Sequence, residues 1–233
     1  MSGNVNRLIY SFSRRRGKAL LPNAKRLVRE LLPTLEMDVK DVDLRALFPN
    51  AKSVRMEIGF GAGEHLAAQA RHNPDIGYIG CEPFINGVAK LLQVIDEENL
   101  RNIRLFTDDA RLLCAELPDD CLERIDILFP DPWRKPRHYK RRLISLETLA
   151  LLARLQPEGA ELRLATDHLD YSAWMLEMLH QSPHYDWQAE CADDWRVPPS
   201  DWEQTRYQRK TSAEGRAPVF LIAKRTGFLS PNT

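Results

Sequence analysis

Carboxylates at the ends of short apolar runs are the residues of this chain best placed to do chemistry. Glu57, Glu82, Asp109, Asp131 and Asp167 each close or follow such a run, and after Glu57 glycine stands at every second position, Gly59, Gly61 and Gly63. Glycines let a backbone pass close to a bound ligand, and a helix starting near Leu66 would present unpaired N–H groups to it. A nucleoside is the natural occupant of such a turn. The spacing is G-x-G-x-G, with Glu64 where a dinucleotide fingerprint wants a small residue. Glu57 beside a helix N-terminus would repel a pyrophosphate but suits a positive amino or sulfonium group, which points to S-adenosylmethionine. A purely structural strand-to-helix turn is the bland alternative.

Glu82 follows the loop at about the distance where adenosine-binding α/β folds place the acid that holds the ribose hydroxyls. Asp109, beside the small Ala110, is assigned to the adenine amino group, and Asp108 to capping the next helix. The segment RIDILFPDPWRKPRHYKRR, from Arg124 to Arg142, joins a second kind of chemistry to the first. Its apolar half stops at two prolines that flank Asp131, as a buried strand does when it delivers a polar side chain to a rim. From Arg134 to Arg142 it carries six Lys or Arg and a His with no acid, interleaved with aromatic residues. That is the composition of a phosphate-facing surface, although a turn and a solvated helix start would look similar.

The elements that must position these groups are readable in outline. Apolar runs at 54–58, 78–82, 103–106, 125–129, 161–167, 187–190 and 219–223 read as strands. Between them, helical spacing recurs in Ile85, Val88, Leu91, Leu92 and Ile95, in Leu143, Leu146, Leu149 and Ala153, and in Tyr171, Trp174, Met175 and Met178. An earlier short helix through Leu27 and Leu31 is expected to end at Pro33. Five βα units followed by two strands predict an α/β, doubly wound, mostly parallel seven-stranded sheet of Rossmann-like plan. A polar insert from Asp193 to Ala217 precedes the last strand and holds Thr205, Arg206, Tyr207 and Gln208, a candidate binding loop. The expected division is a basic N-terminal arm and short helix over 1–35 and one catalytic domain over 36–233.

Composition narrows the classes. The chain has 233 residues, 43% hydrophobic and 28% charged, with a formal net charge of zero, as in ordinary soluble domains. Residues 1–30 nevertheless hold eight Lys or Arg against one acid, Glu30, so local patches can still bind phosphate. Cys81, Cys114, Cys121 and Cys191 form no C-x-x-C pair and have no His at zinc-ligand spacing. No disulfide framework, metal site or membrane span is expected, and reduced cytoplasm fits best.

With these pieces in order, the chain resembles the bacterial tRNA (guanine-N7)-methyltransferases, a class I S-adenosylmethionine-dependent family. The resemblance rests on EIGFGAGEHL from Glu57, FPDPWRKPRHYKRR from Phe129, Thr166-Asp167 and the TRYQ element at Thr205, over roughly residues 50 to 225. It implies that Glu57, Glu82, Asp109 and Asp131 contact the cofactor, cradled by the backbone from Gly59 to Gly63. Asp131 would lie between the methyl donor and the guanine, accepting hydrogen bonds from the base N1 and N2 groups. Lys135 and Asp167 would hold the nucleotide, Thr205 to Gln208 would close over it, and Arg137, Arg141 and Arg142 would meet the tRNA backbone. The family usually has Glu at position 208 and Arg at position 210, where this chain has Gln208 and Lys210. The implied partner is tRNA, with no obligate protein partner, acting as a monomer or homodimer. The alternatives are a class I methyltransferase for another RNA base, a protein or a small molecule, and a non-catalytic RNA-binding module.

Overall fold

The computed structural model describes residues 15–40 and 42–227. Strands β1 (Ser53–Ile58), β2 (Ile76–Cys81), β3 (Ile103–Phe106), β4 (Arg124–Leu128), β5 (Glu161–Thr166), β6 (Tyr185–Trp187) and β7 (Val219–Arg225) form one sheet. Their order is β3-β2-β1-β4-β5-β7-β6. The first five pair in parallel, and β7 lies antiparallel between β5 and β6. The fold is thus α/β and doubly wound. The chain steps outward from β1 to β3 and returns on the other side of β1 with β4, leaving a crevice at the carboxyl ends of β1 and β4.

Helices α1 (Pro22–Glu30), α2 (Leu32–Leu35), α3 (Leu44–Leu47), α4 (Glu64–His72), α5 (Ile85–Glu98), α6 (Ala110–Glu116), α7 (Leu146–Arg154), α8 (Leu169–Gln181), α9 (Asp193–Arg196) and α10 (Arg206–Ala213) complete it. Leu27 of α1 and Leu66 of α4 pack with Val88, Leu91 and Leu92 of α5 on one face of the sheet. Leu113 of α6, Leu149 and Leu152 of α7, and Tyr171 and Met175 of α8 cover the other face. Three boundaries differ from the sequence expectation. Pro33 sits in the first turn of α2, where a missing N–H costs nothing, so it does not end the helical stretch. Helix α7 starts at Leu146 because the Ser145 side chain accepts from Thr148 N at 3.2 Å. The sixth strand lies at Tyr185–Trp187, anchored by the buried Tyr185 hydroxyl donating to Gln156 Oε1 at 2.7 Å.

Of the basic arm, residues 1–14 lie outside the described residues. Residues 15–18 are held against the start of α5: Gly17 N donates to Asn86 Oδ1, and Asn86 Nδ2 donates to Lys18 O, both at 2.7 Å. Among the described residues no helix is long and apolar enough to cross a membrane.

The face of β1, β4, β5 and β7 on the α4 side carries charge at alternate positions. Arg55 and Glu57, Arg124 and Asp126, Glu161 and Arg163, and Lys224 stand in register across neighbouring strands. Such a face cannot be sealed by an apolar helix without stranding those charges. The insert seals it instead. Asp201 accepts from Arg124 Nη1 at 2.8 Å and Arg163 Nη1 at 2.7 Å, and its carbonyl accepts from Gln69 Nε2 at 2.6 Å. Next to it, Trp202 stacks edge-on against Phe220, with ring centres 4.8 Å apart, over Leu128 and Ala165. The insert is therefore one layer of the core, and its later residues are fixed relative to the strand ends.

Candidate active site

The turn from β1 to α4 is shaped by backbone conformation that side chains resist. Gly59, Gly61 and Gly63 have φ of +79°, +58° and +77°. A Cβ on Gly59 or Gly61 would meet nothing within 4 Å, so their hydrogens keep a ligand space open. Gly63 serves differently: it caps α4, a Cβ there would lie 2.7 Å from Leu91, and it lines neither of the cavities beside the turn. The first cavity, about 400 Å³, runs from Gly59 and Gly61 past Glu82 and Asp109 to Asp131. The second, about 350 Å³, shares Gly59, Gly61 and Phe129 with it and reaches Glu57, Thr205 and Tyr207.

Three sequence-assigned acids, Glu82, Asp109 and Asp131, thus border the first cavity, and Glu57 borders the second, which meets it at Gly59, Gly61 and Phe129. Glu82 accepts from Gly61 N and Phe84 N, each at 2.9 Å, which aims it along the cavity wall. Burial raises its pKa, and those two N–H groups pull against the rise. Asp109 caps α6 and is gripped by Arg111 through both oxygens, at 2.9 and 2.7 Å. The helix cap is therefore Asp109 and not Asp108, whose carboxylate instead meets the Arg15 guanidinium and Asp109 N. Glu57 is buried and accepts from or shares a proton with His65 Nδ1 at 2.9 Å. Burial of His65 lowers its pKa, but Glu57 and then Asp126 outweigh that and leave it raised. These donors and acceptors fit a nucleoside bearing a cationic amino-acid tail: acids for hydroxyls and ammonium, and Pro83 and Phe84 as an apolar wall.

Asp131 reaches the first cavity from a strained loop. Phe129 and Trp133, one on each side of Pro130-Asp131-Pro132, have φ of +53° and +41°. Packing over-determines this shape. Phe129 N donates to Ala165 O at 2.8 Å, the Phe129 ring lies 5.4 Å from that of Tyr207, and Arg141 sits over Trp133 at 4.9 Å. Beyond the loop, a 3-10 turn over Pro136–Arg141 exposes Lys135 and Arg137, while Lys140 and Arg141 line the cavity.

Arg142 departs from the sequence expectation. Only 4% exposed, it donates from Nε to Pro132 O at 3.0 Å and pairs with Asp170, its guanidinium stacked 3.8 Å from the Tyr139 ring centre and near Tyr171 and Trp174. It cannot meet a phosphate without leaving this socket; it supports the Asp131 loop. Arg142→Ala is expected to lower stability by about 2–3 kcal/mol, read as a shifted urea midpoint, because it removes the donor to the Pro132 carbonyl and a cation–π stack together. Arg142→Lys should recover little, since a single ammonium cannot both stack and bridge.

Helix α10 brings the remaining candidates together. Thr205 caps it by accepting from Gln208 N at 3.2 Å, and Arg206 N donates to Glu64 Oε2 at 2.8 Å, tying the helix to the glycine turn. The Tyr207 hydroxyl lies 3.3 Å from Asp167 Oδ1. Gln208 points away from this space: it is buried, and its Oε1 accepts from Trp202 Nε1 at 2.8 Å. The change from acid to amide at 208 thus sits at a packing contact, which corrects its assignment to the substrate. Asp167 is nearly enclosed, with Arg216 Nη1 at 2.6 Å from Oδ2. Arg216, Arg111, His65 and Trp202 have no sequence signal of their own, because each takes its meaning from a partner on another element.

The chain matches a family model described as a putative methyltransferase over residues 51–221. It is 49% identical to the tRNA (guanine-N(7)-)-methyltransferase of Paramagnetospirillum magneticum, over 92% of each chain. It is 44% identical to the protein of the same name from Agrobacterium fabrum, over 90% of this chain and 92% of that one. Among solved structures, the 16S rRNA methyltransferase KamB superposes with a TM-score of 0.61 at 16% identity, covering 82% of this chain and 95% of that one. The antibiotic-resistance methyltransferase Kmr gives 0.56 at 20% identity, over 80% and 93%. At those identities the two structures speak to the fold alone.

Proposed function

Since the chain belongs to the tRNA (guanine-N(7)-)-methyltransferase family and transfers a methyl group from S-adenosylmethionine to N7 of a guanosine in tRNA, we propose that this guanosine lies in the variable loop and that Asp131 is the catalytic carboxylate. The observation that carries the residue assignment is the continuous cavity from Glu82 and Asp109 to Asp131 at the β1/β4 crevice. Glu82 would hold the ribose of the cofactor, Asp109 the adenine, and Glu57 the amino group at the other end, with the backbone at Gly59 and Gly61 passing close beneath.

When bound, the cofactor supplies an electrophilic methyl carbon on a sulfonium, to which the N7 lone pair forms a bond as the C–S electron pair leaves with sulfur. Because N7 carries no proton, the protein needs no general base. Its work is alignment to about 3 Å between reacting atoms, and stabilisation of the positive charge that grows on the base. Asp131 supplies that stabilisation from the strained loop, and Asp167 and Tyr207 hold the nucleotide from the facing side. Exposed Lys135 and Arg137, with Arg141 and the arm, form the phosphate-binding part, whose affinity falls with salt. The enzyme would work in the cytoplasm as a monomer or homodimer without an obligate protein partner.

The test is incubation with methyl-labelled S-adenosylmethionine and unmodified tRNA transcripts, followed by mass-spectrometric mapping. The expected product is 7-methylguanosine in the variable loop. Methylation of a guanosine elsewhere would sink the loop assignment, and activity indifferent to ribonuclease would favour a protein or small-molecule acceptor.

A further inference from the structure

Asp167 is 5% exposed at its side chain and already has a partner of suggestive shape. Arg216 lies on the turn between α10 and β7 and places Nη1 2.6 Å from Asp167 Oδ2, while the Tyr207 hydroxyl lies 3.3 and 3.5 Å from the two oxygens. A guanidinium is chemically the N1–C2–N2 edge of guanine: one carbon bearing N–H groups that point the same way. We propose that Arg216 is an internal placeholder for the target base, holding one oxygen of the Asp167 carboxylate until an N–H donor of the base displaces it.

The proposal deepens the reading of Asp167 as a nucleotide contact and rests on it. It moves recognition of the N1–H and N2–H edge from Asp131 to Asp167, leaving Asp131 to the charge that develops on methylation. Three features support exchange over a permanent ion pair. Arg216 is 35% exposed at its side chain, so it has a path outward. It also has a second acid, Glu214, with Oε2 at 2.7 Å from its Nη2, so leaving Asp167 does not strand the cation. Finally, a guanidinium kept beside Asp167 would oppose the positive charge forming on the base, whereas its departure leaves the carboxylate free to stabilise that charge. The placeholder adds the same displacement cost to every base, so it raises KM without altering the preference among bases.

The experiment compares full-length wild type and Arg216→Ala on two transcripts, one with the target guanosine and one with inosine at that position. Wild type should prefer guanosine strongly. Arg216→Ala should lower KM for both transcripts by the same factor and leave the guanosine-to-inosine ratio of kcat/KM unchanged, since both bases are relieved of the same competitor. A raised or unchanged KM would overturn the proposal and make Arg216 a permanent counter-ion. If the alanine variant unfolds, Arg216→Gln must show the same direction, and its failure to do so overturns the proposal equally. Asp167→Asn separates the premise: wild-type KM and ratio in that variant would mean that Asp167 does not touch the base at all.

Discussion

Replacing Asp131 by alanine is expected to lower kcat by about 10²–10³-fold at saturating tRNA, the usual cost of removing one preorganised group that meets charge developing in a transition state. Stability should change by less than about 0.5 kcal/mol, because the residue is exposed. Cofactor affinity should fall far less than kcat, since Glu82, Asp109 and the glycine turn remain. Asp131→Asn, which keeps an acceptor but loses the charge, should fall between. Single-turnover kinetics with saturating S-adenosylmethionine measure this directly. Near-normal turnover in Asp131→Ala would show that alignment alone carries the reaction and that Asp131 is part of the wall.

The second large effect comes from a residue that touches no ligand. A Cβ on Gly87, in the first turn of α5, would lie 2.1 Å from Gly61 O and 3.0 Å from Gly61 C. Both are backbone atoms of the turn proposed to cradle the cofactor, and the same turn is held by Gly61 N donating to Glu82. Gly87→Ala must push this backbone outward, and the Glu82 contact with it. Cofactor affinity is expected to drop by about 10–100-fold, measured by calorimetry, in a protein that keeps its circular-dichroism spectrum. Helix propensity alone predicts the opposite, a gain of about 1 kcal/mol for Gly→Ala in a helix. An unchanged Kd would show that α5 gives way instead of the turn.

Much of this arrangement is legible in the amino-acid sequence. The strands at β1 to β5 announce themselves because each is a short apolar run ending in a polar residue, and the order of glycine turn, Glu82 and Asp109 is a sequential signal. Arg142 and Gln208 mislead for one reason: both lie in segments whose average composition is that of a binding surface. Composition averages over directions, and the direction of Arg142 is set by Tyr139, Tyr171 and Trp174, two of which lie about thirty residues on. The charged face is in principle readable, as Arg55 and Glu57, Arg124 and Asp126, and Glu161 and Arg163 alternate with apolar residues. Its cover is not, because Asp201 reaches Arg124 across 77 residues of chain. Arg216 likewise sits beside Asp167 only because β5 and β7 pair antiparallel, with Thr166 opposite Val219.

The strained loop around Asp131 also governs the thermodynamics of association. Two proline rings fix φ on either side of the acid. Phe129 and Trp133 are held in left-handed conformations by contacts with β5, Tyr207 and Arg141. The conformational entropy of those five residues is lost when the chain folds, so an incoming base meets a wall that has no further ordering to undergo. Recognition at this wall is therefore closer to lock-and-key than to coupled folding. The Asp131 loop should therefore add no ordering contribution to the heat-capacity change of nucleotide docking.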